Sequence, residues 1–391
     1  MMARQRGALV GILIVLAAGA SGALERRLTA AQAVSQKLPH FDRVLLLEQT
    51  SETSANVSIG DLNGDGFPDI VLAKGRHWPL VDRVLINDGH GRFPLAHDLG
   101  SASDRSYSCT LADLDGDGTL DVVISNDAPD PKLVYLNDGK GSFRVGSTYG
   151  RPEWPTRNAR AADLNGDGRP DIVVANRTGD DRGANYVCLN RGKGQFDADC
   201  IAFSRESATT VTPADVNGDG FIDLVVPHRE GGQSFVYLND GKAGFAKRLP
   251  FGPPDAAIRV AESADFDGDG RVDLVGIDER RGTFIYFNQK DGSFSAGVRV
   301  GPAGKIVPYA LAIADLNLDR KPDIVVGNVD ASSTVFFNDG SGRAFTPVNF
   351  GDGKGAAYGF AIDDLDKDGV PDIAVARSDA PNVVYFGSRR R

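Results

Sequence analysis

From residue 39 to residue 388 the chain alternates short apolar runs, rich in Val, Ile, Leu, Tyr and Phe, with clusters of Gly, Asn and Asp. No stretch keeps a helical apolar period of useful length, so the runs predict strands and the clusters predict hairpin turns. The stretch 158–203 shows the unit. Asn158–Ala162 leads into an Asp-rich loop, Ile172–Asn176 leaves it, and Asn185–Asn190 and Phe196–Phe203 follow across polar turns. A turn of the form Asn-Asp-Gly-x-Gly recurs at Asn87, Asn137 and Asn338, with variants at Asn190, Asn239 and Asn288. Each turn leads to a phenylalanine: Phe93, Phe143, Phe196, Phe245, Phe294 and Phe345.

The unit repeats. The loop Asp-x-Asn/Asp-x-Asp-x-x-x-Asp begins at Asp61, Asp113, Asp163, Asp215, Asp265, Asp315 and Asp364, in steps of 49 to 52 residues. Four antiparallel strands per repeat of this length, without a helix, predict a β-propeller blade. The fold expected is therefore all-β, a seven-bladed propeller of four-stranded antiparallel blades spanning 39–388. The ends fit a closed ring. The seventh unit stops after Val383–Ser388, one strand short, and the segment Pro39–Gln49 supplies a spare strand with Phe41 in the place of the missing phenylalanine. The N-terminal strand is expected to complete the last blade.

The loops carry the chemistry. Positions 1, 3, 5 and 9 present Asp61, Asn63, Asp65 and Asp69; Asp113, Asp115, Asp117 and Asp121; Asp163, Asn165, Asp167 and Asp171; and Asp215, Asn217, Asp219 and Asp223. The last three present Asp265, Asp267, Asp269 and Asp273; Asp315, Asn317, Asp319 and Asp323; and Asp364, Asp366, Asp368 and Asp372. Oxygen ligands at alternate positions around a turn glycine suit a hard cation of calcium's size. No His or Cys lies in any loop, which disfavours softer metals. Five to seven Ca²⁺ are expected. The sixth loop is the weakest candidate, because Leu318 and Arg320 replace its glycines; the seventh carries Lys367 but keeps Gly369. Sevenfold repetition also argues against a catalytic carboxylate pair, which is needed once.

Charge changes little in this picture. The formal charge of −10 owes 24 of its 53 acidic residues to the loops, and seven bound divalent ions would leave the chain weakly positive. No nucleic-acid partner is indicated. Residues 1–23 read as an export signal: Arg4 and Arg6 precede an uncharged stretch from Gly7 to Leu24, with Ala20 and Ala23 as cleavage positions. The alternative is an uncleaved anchor; after cleavage no membrane insertion is expected. Residues 24–38 form a lead-in, and the location expected is secreted or periplasmic. Of three cysteines, Cys188 and Cys200 flank one turn, Cys188 standing where other repeats hold Tyr or Phe. A cross-strand disulfide is expected, two buried thiols being the alternative, with Cys109 a buried small hydrophobe.

The Asp loops and the Asn-Asp-Gly-x-Gly-x-Phe turns make the chain resemble the FG-GAP and VCBS repeat family, whose members include the seven-bladed heads of integrin α-subunits. Phe-Gly pairs stand at Phe251-Gly252, Phe350-Gly351 and Phe386-Gly387, but no Gly-Ala-Pro triplet is present, which brings the chain nearer to the VCBS style. The resemblance implies calcium in the Asp loops on one face and a ligand at the opposite face or central channel. The second-strand ends Asn126, Asn176, His228, Asp278, Asn328 and Arg377 are expected to ring that mouth. Tyr107, Arg157, Arg160, Arg259, Tyr309 and Tyr358, with Trp78 and Trp154 on long loops, are expected to join them. Such groups suit a polar organic ligand; the alternative is an ordinary solvated surface, with the tryptophans packed on their own loops. The function expected is a calcium-binding, non-catalytic binding module for a glycan or an extracellular protein. A polysaccharide-acting enzyme and a purely structural surface component are the alternatives.

Overall fold

The computed structural model describes residues 38–178, 183–197, 199–302 and 307–389. The expected export signal and nearly all of the expected lead-in lie outside the described residues. Twenty-eight strands form seven four-stranded sheets, and no helix occurs among the described residues. Blade 1 runs Ser54–Gly60, Asp69–Lys74, Arg83–Ile86 and Leu95–Asp98, each strand antiparallel to the next. The same order holds in the other six blades.

The second strand is buried along its whole length in all seven blades: Asp69–Lys74, Asp121–Asn126, Asp171–Asn176, Asp223–Val226, Asp273–Asp278, Asp323–Asn328 and Asp372–Ser378. Neighbouring blades cover both faces, so its sequence reads as a continuous apolar run instead of an alternation. The core therefore lies between blades. Val57, Ile70 and Leu85 of blade 1, for instance, pack on Leu365, Ala374, Val384 and Phe386 of blade 7. Burial of each such side chain contributes roughly 1.5–3 kcal/mol.

The ring closes as the ends of the sequence predict. His40–Leu46 pairs antiparallel with Val383–Ser388 as the fourth strand of blade 7. Phe41 is buried there, 5.5 Å from the Phe350 ring of blade 6. Polar contacts lock the joint. Asn382 donates to Glu48 and to Ser54, each at 2.8 Å, and the buried Lys74 ammonium pairs with Glu48 and Glu52.

The asparagine that opens each Asn-Asp-Gly turn does more than turn the chain. Its side-chain amide reaches back to the preceding blade's loop and donates to the carbonyl of that loop's second residue. Asn87 bonds Leu365 this way, Asn137 Leu62, Asn190 Leu114, Asn239 Leu164, Asn288 Val216 and Asn338 Phe266, all at 2.8–2.9 Å. Six of the seven junctions are stitched by one repeated bond. At the seventh, Gly387 stands in the asparagine's place and Arg389 donates to Asn317 instead, at 3.2 Å.

Candidate functional site

Two regions carry chemistry, at opposite ends of the first strands. At the trailing ends lie the Asp loops. The position-1 aspartate organises the turn: Asp265 accepts amides from Gly268 at 2.7 Å and Gly270 at 2.8 Å, and Asp61 and Asp163 do the same. The position-9 aspartate is buried in all seven loops, and both its oxygens accept backbone amides. Asp121 takes those of Leu114 and Asn137, each at 2.9 Å. The same pair of bonds recurs at Asp69, Asp171, Asp223, Asp273, Asp323 and Asp372. Burial pushes Asp69, Asp121, Asp171 and Asp273 up to about 6, and Asp323 and Asp372 up to about 7; neighbouring loop carboxylates add to the effect and the amide bonds oppose it.

Position 3 divides the loops. Where it is aspartate, carboxylates converge: the ligand atoms of Asp113, Asp115 and Asp121 lie within 4.8 Å of one another, as do those of Asp265, Asp267 and Asp269, and of Asp364, Asp366 and Asp372. In three of the four loops where it is asparagine, the amide donates to the position-5 carboxylate instead, Asn63 to Asp65, Asn165 to Asp167 and Asn217 to Asp219, at 2.9–3.1 Å. In the fifth loop Asp267 Oδ1 is buried without a hydrogen-bond partner. An all-oxygen donor set with mutually repelling carboxylates and an orphaned oxygen fits a hard divalent cation. The sixth loop is strained as its sequence predicts, with Leu318 and Arg320 at φ of 61° and 67°, and Lys321 lies 3.6 Å from Asp319.

At the leading ends the first strands meet around the channel. In six blades their pairing with the second strand shifts register by one residue, after Ser54, Ser106, Thr156, Ile258, Pro308 and Ala357. The residue displaced at each bulge is Ala55, Tyr107, Arg157, Arg259, Tyr309 or Tyr358, and all six line one cavity of about 160 Å³. A bulge re-aims a side chain out of the ladder, here toward the axis. Arg76, His77, Arg160, Arg177, Thr209, Thr210, Arg229 and Glu262 complete the polar wall.

Guanidinium groups lie over tyrosine rings around this mouth. Arg76 sits 4.1 Å from the Tyr358 ring centre, Arg157 4.2 Å from Tyr107 and Arg259 3.1 Å from Tyr309. The Tyr358 hydroxyl donates to that of Tyr309 at 3.0 Å, and the Tyr107 hydroxyl is 3.1 Å from His77 Nδ1. Four carboxylates serve the guanidiniums: Asp127 with Arg157, Glu262 with Arg160, Glu230 with Arg177, and Glu279 with both Arg229 and Arg259. Burial, joined by Arg76 and Arg157, holds the His77 imidazole below its ordinary range. Burial alone would raise the Tyr309 phenol, but Arg259, Arg229 and Arg76 bring it below its ordinary value.

Of the residues expected at the mouth, the structure brings together Tyr107, Arg157, Arg160, Arg259, Tyr309 and Tyr358. The second-strand ends are a correction. Asn126, Asn176, Asp278, Asn328 and Arg377 are buried and do not line the cavity. Asn126 bonds Pro131 and Ser106, Asn176 bonds Ala184 and Thr156, Asn328 bonds Ser332, and Arg377 bonds Pro381 and Asp352. His228 is half-buried off the cavity. Successive strand residues face opposite sides, so the next residue points the other way. Arg177 and Arg229 line the mouth, while Asp127 and Glu279 hold its guanidiniums. Trp154 stacks on Tyr186 at 4.0 Å and packs against the core, whereas Trp78 is 70% exposed. Cys188 and Cys200 are joined by a disulfide, and Cys109 is a free buried thiol pushed up to about 12 by burial.

The fold and loops define a β-propeller built from Asp-loop blades. The FG-GAP-like repeat family matches residues 61–124, 113–174, 163–226, 215–276, 265–326 and 315–375, and the chain belongs to that family. None of the curated proteins matches it. Similar solved structures include crystal structures of BBS1N in complex with ARL6DN. The one soaked with mercury is 11% identical with a TM-score of 0.59, covering 90% of this chain and 97% of that one. The one soaked with lead is 9% identical with a TM-score of 0.61, covering 90% and 98%. At these identities the likeness shows the fold alone.

Proposed function

We propose that this protein is an exported, calcium-stabilised propeller acting as a non-catalytic binding module, with its ligand docking at the channel mouth opposite the Asp loops. The observation that carries the reading is the convergence of six bulged first-strand residues on one cavity. A bulge repeated at one register spends backbone pairing to present side chains, which a purely structural ring does not require. Calcium would be held by the aspartate and asparagine oxygens of the loops, where it would neutralise crowded carboxylates and fix the turns between first and second strands. The N-terminal segment of Arg4, Arg6 and the apolar stretch behind them supports export, as does the Cys188–Cys200 disulfide. BBS1N, of similar fold, was crystallised in complex with ARL6DN, and a glycan or an extracellular protein is the partner class expected here.

A screen of the calcium-loaded protein on glycan and extracellular-protein arrays tests the site, with Tyr309→Ala and Tyr358→Ala run beside the native chain. A ligand whose binding both variants weaken supports the mouth. A ligand bound equally by all three proteins places recognition elsewhere and overturns the reading.

A further inference from the structure

The mouth is built with more positive charge than it neutralises. Six guanidiniums line it, from Arg76, Arg157, Arg160, Arg177, Arg229 and Arg259, against four carboxylates within ion-pair distance. Glu279 is shared by two of them, and Arg76 has no ion-pair partner among the described residues, Asp379 acting on it only from beyond ion-pair distance. Three donor atoms of residues in this lining are buried without a hydrogen-bond partner: Arg76 Nε, Arg160 Nε and Thr210 Oγ1. A buried donor left unmatched costs about 1–3 kcal/mol, and more when charged. Among the described residues only His40 Nδ1 and Asp267 Oδ1 are otherwise left so, and three such atoms in the lining of one cavity mark side chains for which a ligand supplies the acceptors.

Resting on the reading of the mouth as a binding site, we infer that its ligand is an acidic sugar residue, with the carboxylate received by Arg76 and the neighbouring guanidiniums. The planar forks of Arg76, Arg157 and Arg259 are held over tyrosine rings, so little side-chain freedom is lost when they bind an oxyanion. Tyrosine and threonine hydroxyls beside them match the hydroxyl groups of a sugar ring. A cavity of about 160 Å³ is smaller than the ~300–1,000 Å³ of drug-sized sites and accommodates one terminal residue rather than a threaded polymer. An acidic peptide is the poorer fit. Extended peptides dock by adding a strand to a free sheet edge. The first strands are edge strands, but each packs on the first strand of the next blade, with Ser58 donating to the Cys109 carbonyl and Thr110 to that of Ala159, and the unmatched donors belong to side chains.

The test is calorimetric titration of the calcium-loaded chain with trigalacturonic acid and with glucuronic acid. Galactotriose and glucose serve as neutral counterparts, and an Asp/Glu-rich decapeptide as the competing class. The acidic sugars are expected to bind and the neutral ones to bind at least tenfold more weakly. Raising the salt should weaken the acidic ligands, and Arg76→Gln should weaken them at least tenfold with an unchanged melting temperature. Arg76→Lys, which keeps the charge without the fork, should recover only part of the loss; if Arg76→Gln does not fold, Arg157→Gln takes its place. Equal affinity for acidic and neutral sugars, preference for the peptide, or no binding of either acid would overturn the inference. A ligand of any of these kinds that is weakened by Tyr358→Ala would still leave the mouth as a binding site. A ligand insensitive to both the arginine and the tyrosine variants would remove the mouth reading as well.

Discussion

A one-residue difference decides what an acidic side chain does in this molecule. Asp278 is buried and tied to its own turn, whereas Glu279 holds two guanidiniums at the mouth. The sequence marks which residues end the second strands, but facing depends on the pleat and on the bulge opposite, and neither leaves a signature in composition. The loop aspartates were legible as a ligand pattern because every second residue repeats seven times. The amide bonds that also occupy the position-9 aspartates were not, since one donor of each pair is the loop's own second residue and the other comes from the turn after the third strand, 15 to 19 residues on. Asp82 gives a test at this scale. It is buried, accepts the Lys74 amide at 2.7 Å and the Ser106 hydroxyl at 2.9 Å, and burial pushes it up from 3.8 to about 7. The folded state therefore binds a proton as pH falls through 7, while the unfolded chain does so only near 4. The cost of the buried charge is fully present at pH 8 and is relieved toward pH 5. Asp82→Asn keeps an acceptor for Lys74 and can donate to Ser106 without a charge. It is expected to stabilise the protein at pH 8 by on the order of a few kcal/mol and to lose most of that advantage at pH 5. Urea melts at the two pH values measure this, and an equal effect at both would count against it.

Strands were the most legible elements, because their apolar runs recur at one spacing and the turns between them carry Asn, Asp and Gly. Ring closure was legible for a topological reason: one strand too many at the start and one too few at the end have a single economical solution. Phe41 then becomes a closure residue, packed against Phe350 in the blade 6–blade 7 core with Val335, Phe337 and Tyr385 nearby. Phe41→Ala should cost about 3–5 kcal/mol, the range for truncating a buried aromatic, and should speed unfolding. A loss under 1 kcal/mol in denaturant melts would mean that the terminal strand is dispensable. The disulfide acts within blade 3, closing a loop of 12 residues between third and fourth strands. By loop entropy it contributes at most roughly 3 kcal/mol, so reduction should lower the melting temperature without opening the ring. Loss of all cooperative unfolding on reduction would contradict that local role.

For the whole molecule, stability should depend on the sum of the loops. Calcium sites of extracellular modules have a Kd on the order of 10⁻⁴ to 10⁻³ M, and at ten times Kd each site stabilises the folded state by ~1.4 kcal/mol. Six such sites would contribute on the order of 8 kcal/mol, comparable with the ~5–15 kcal/mol that holds a typical domain folded. The loops are not equal in the structure. Carboxylates converge in the second, fifth and seventh, while asparagine amides already occupy the position-5 carboxylates of the first, third and fourth. Elemental analysis after dialysis in calcium buffer should find five to seven ions per chain, with the sixth loop the one most easily emptied; two or fewer would end the calcium account. Chelation should lower the melting temperature strongly. Asp267→Ala separates a metal ligand from a mere turn residue, because its effect should change sign. In calcium the variant loses a ligand and melts below the native protein, and by more than Asn317→Ala does. In EDTA it loses a buried oxygen without a partner beside two like charges, against only a 3.4 Å contact of the other oxygen with the exposed Arg343, so it should melt at or above the native protein. A melting temperature unmoved by EDTA, or an Asp267→Ala penalty of the same size with and without calcium, would mean that inter-blade packing, the asparagine stitches and the terminal strand hold the ring by themselves.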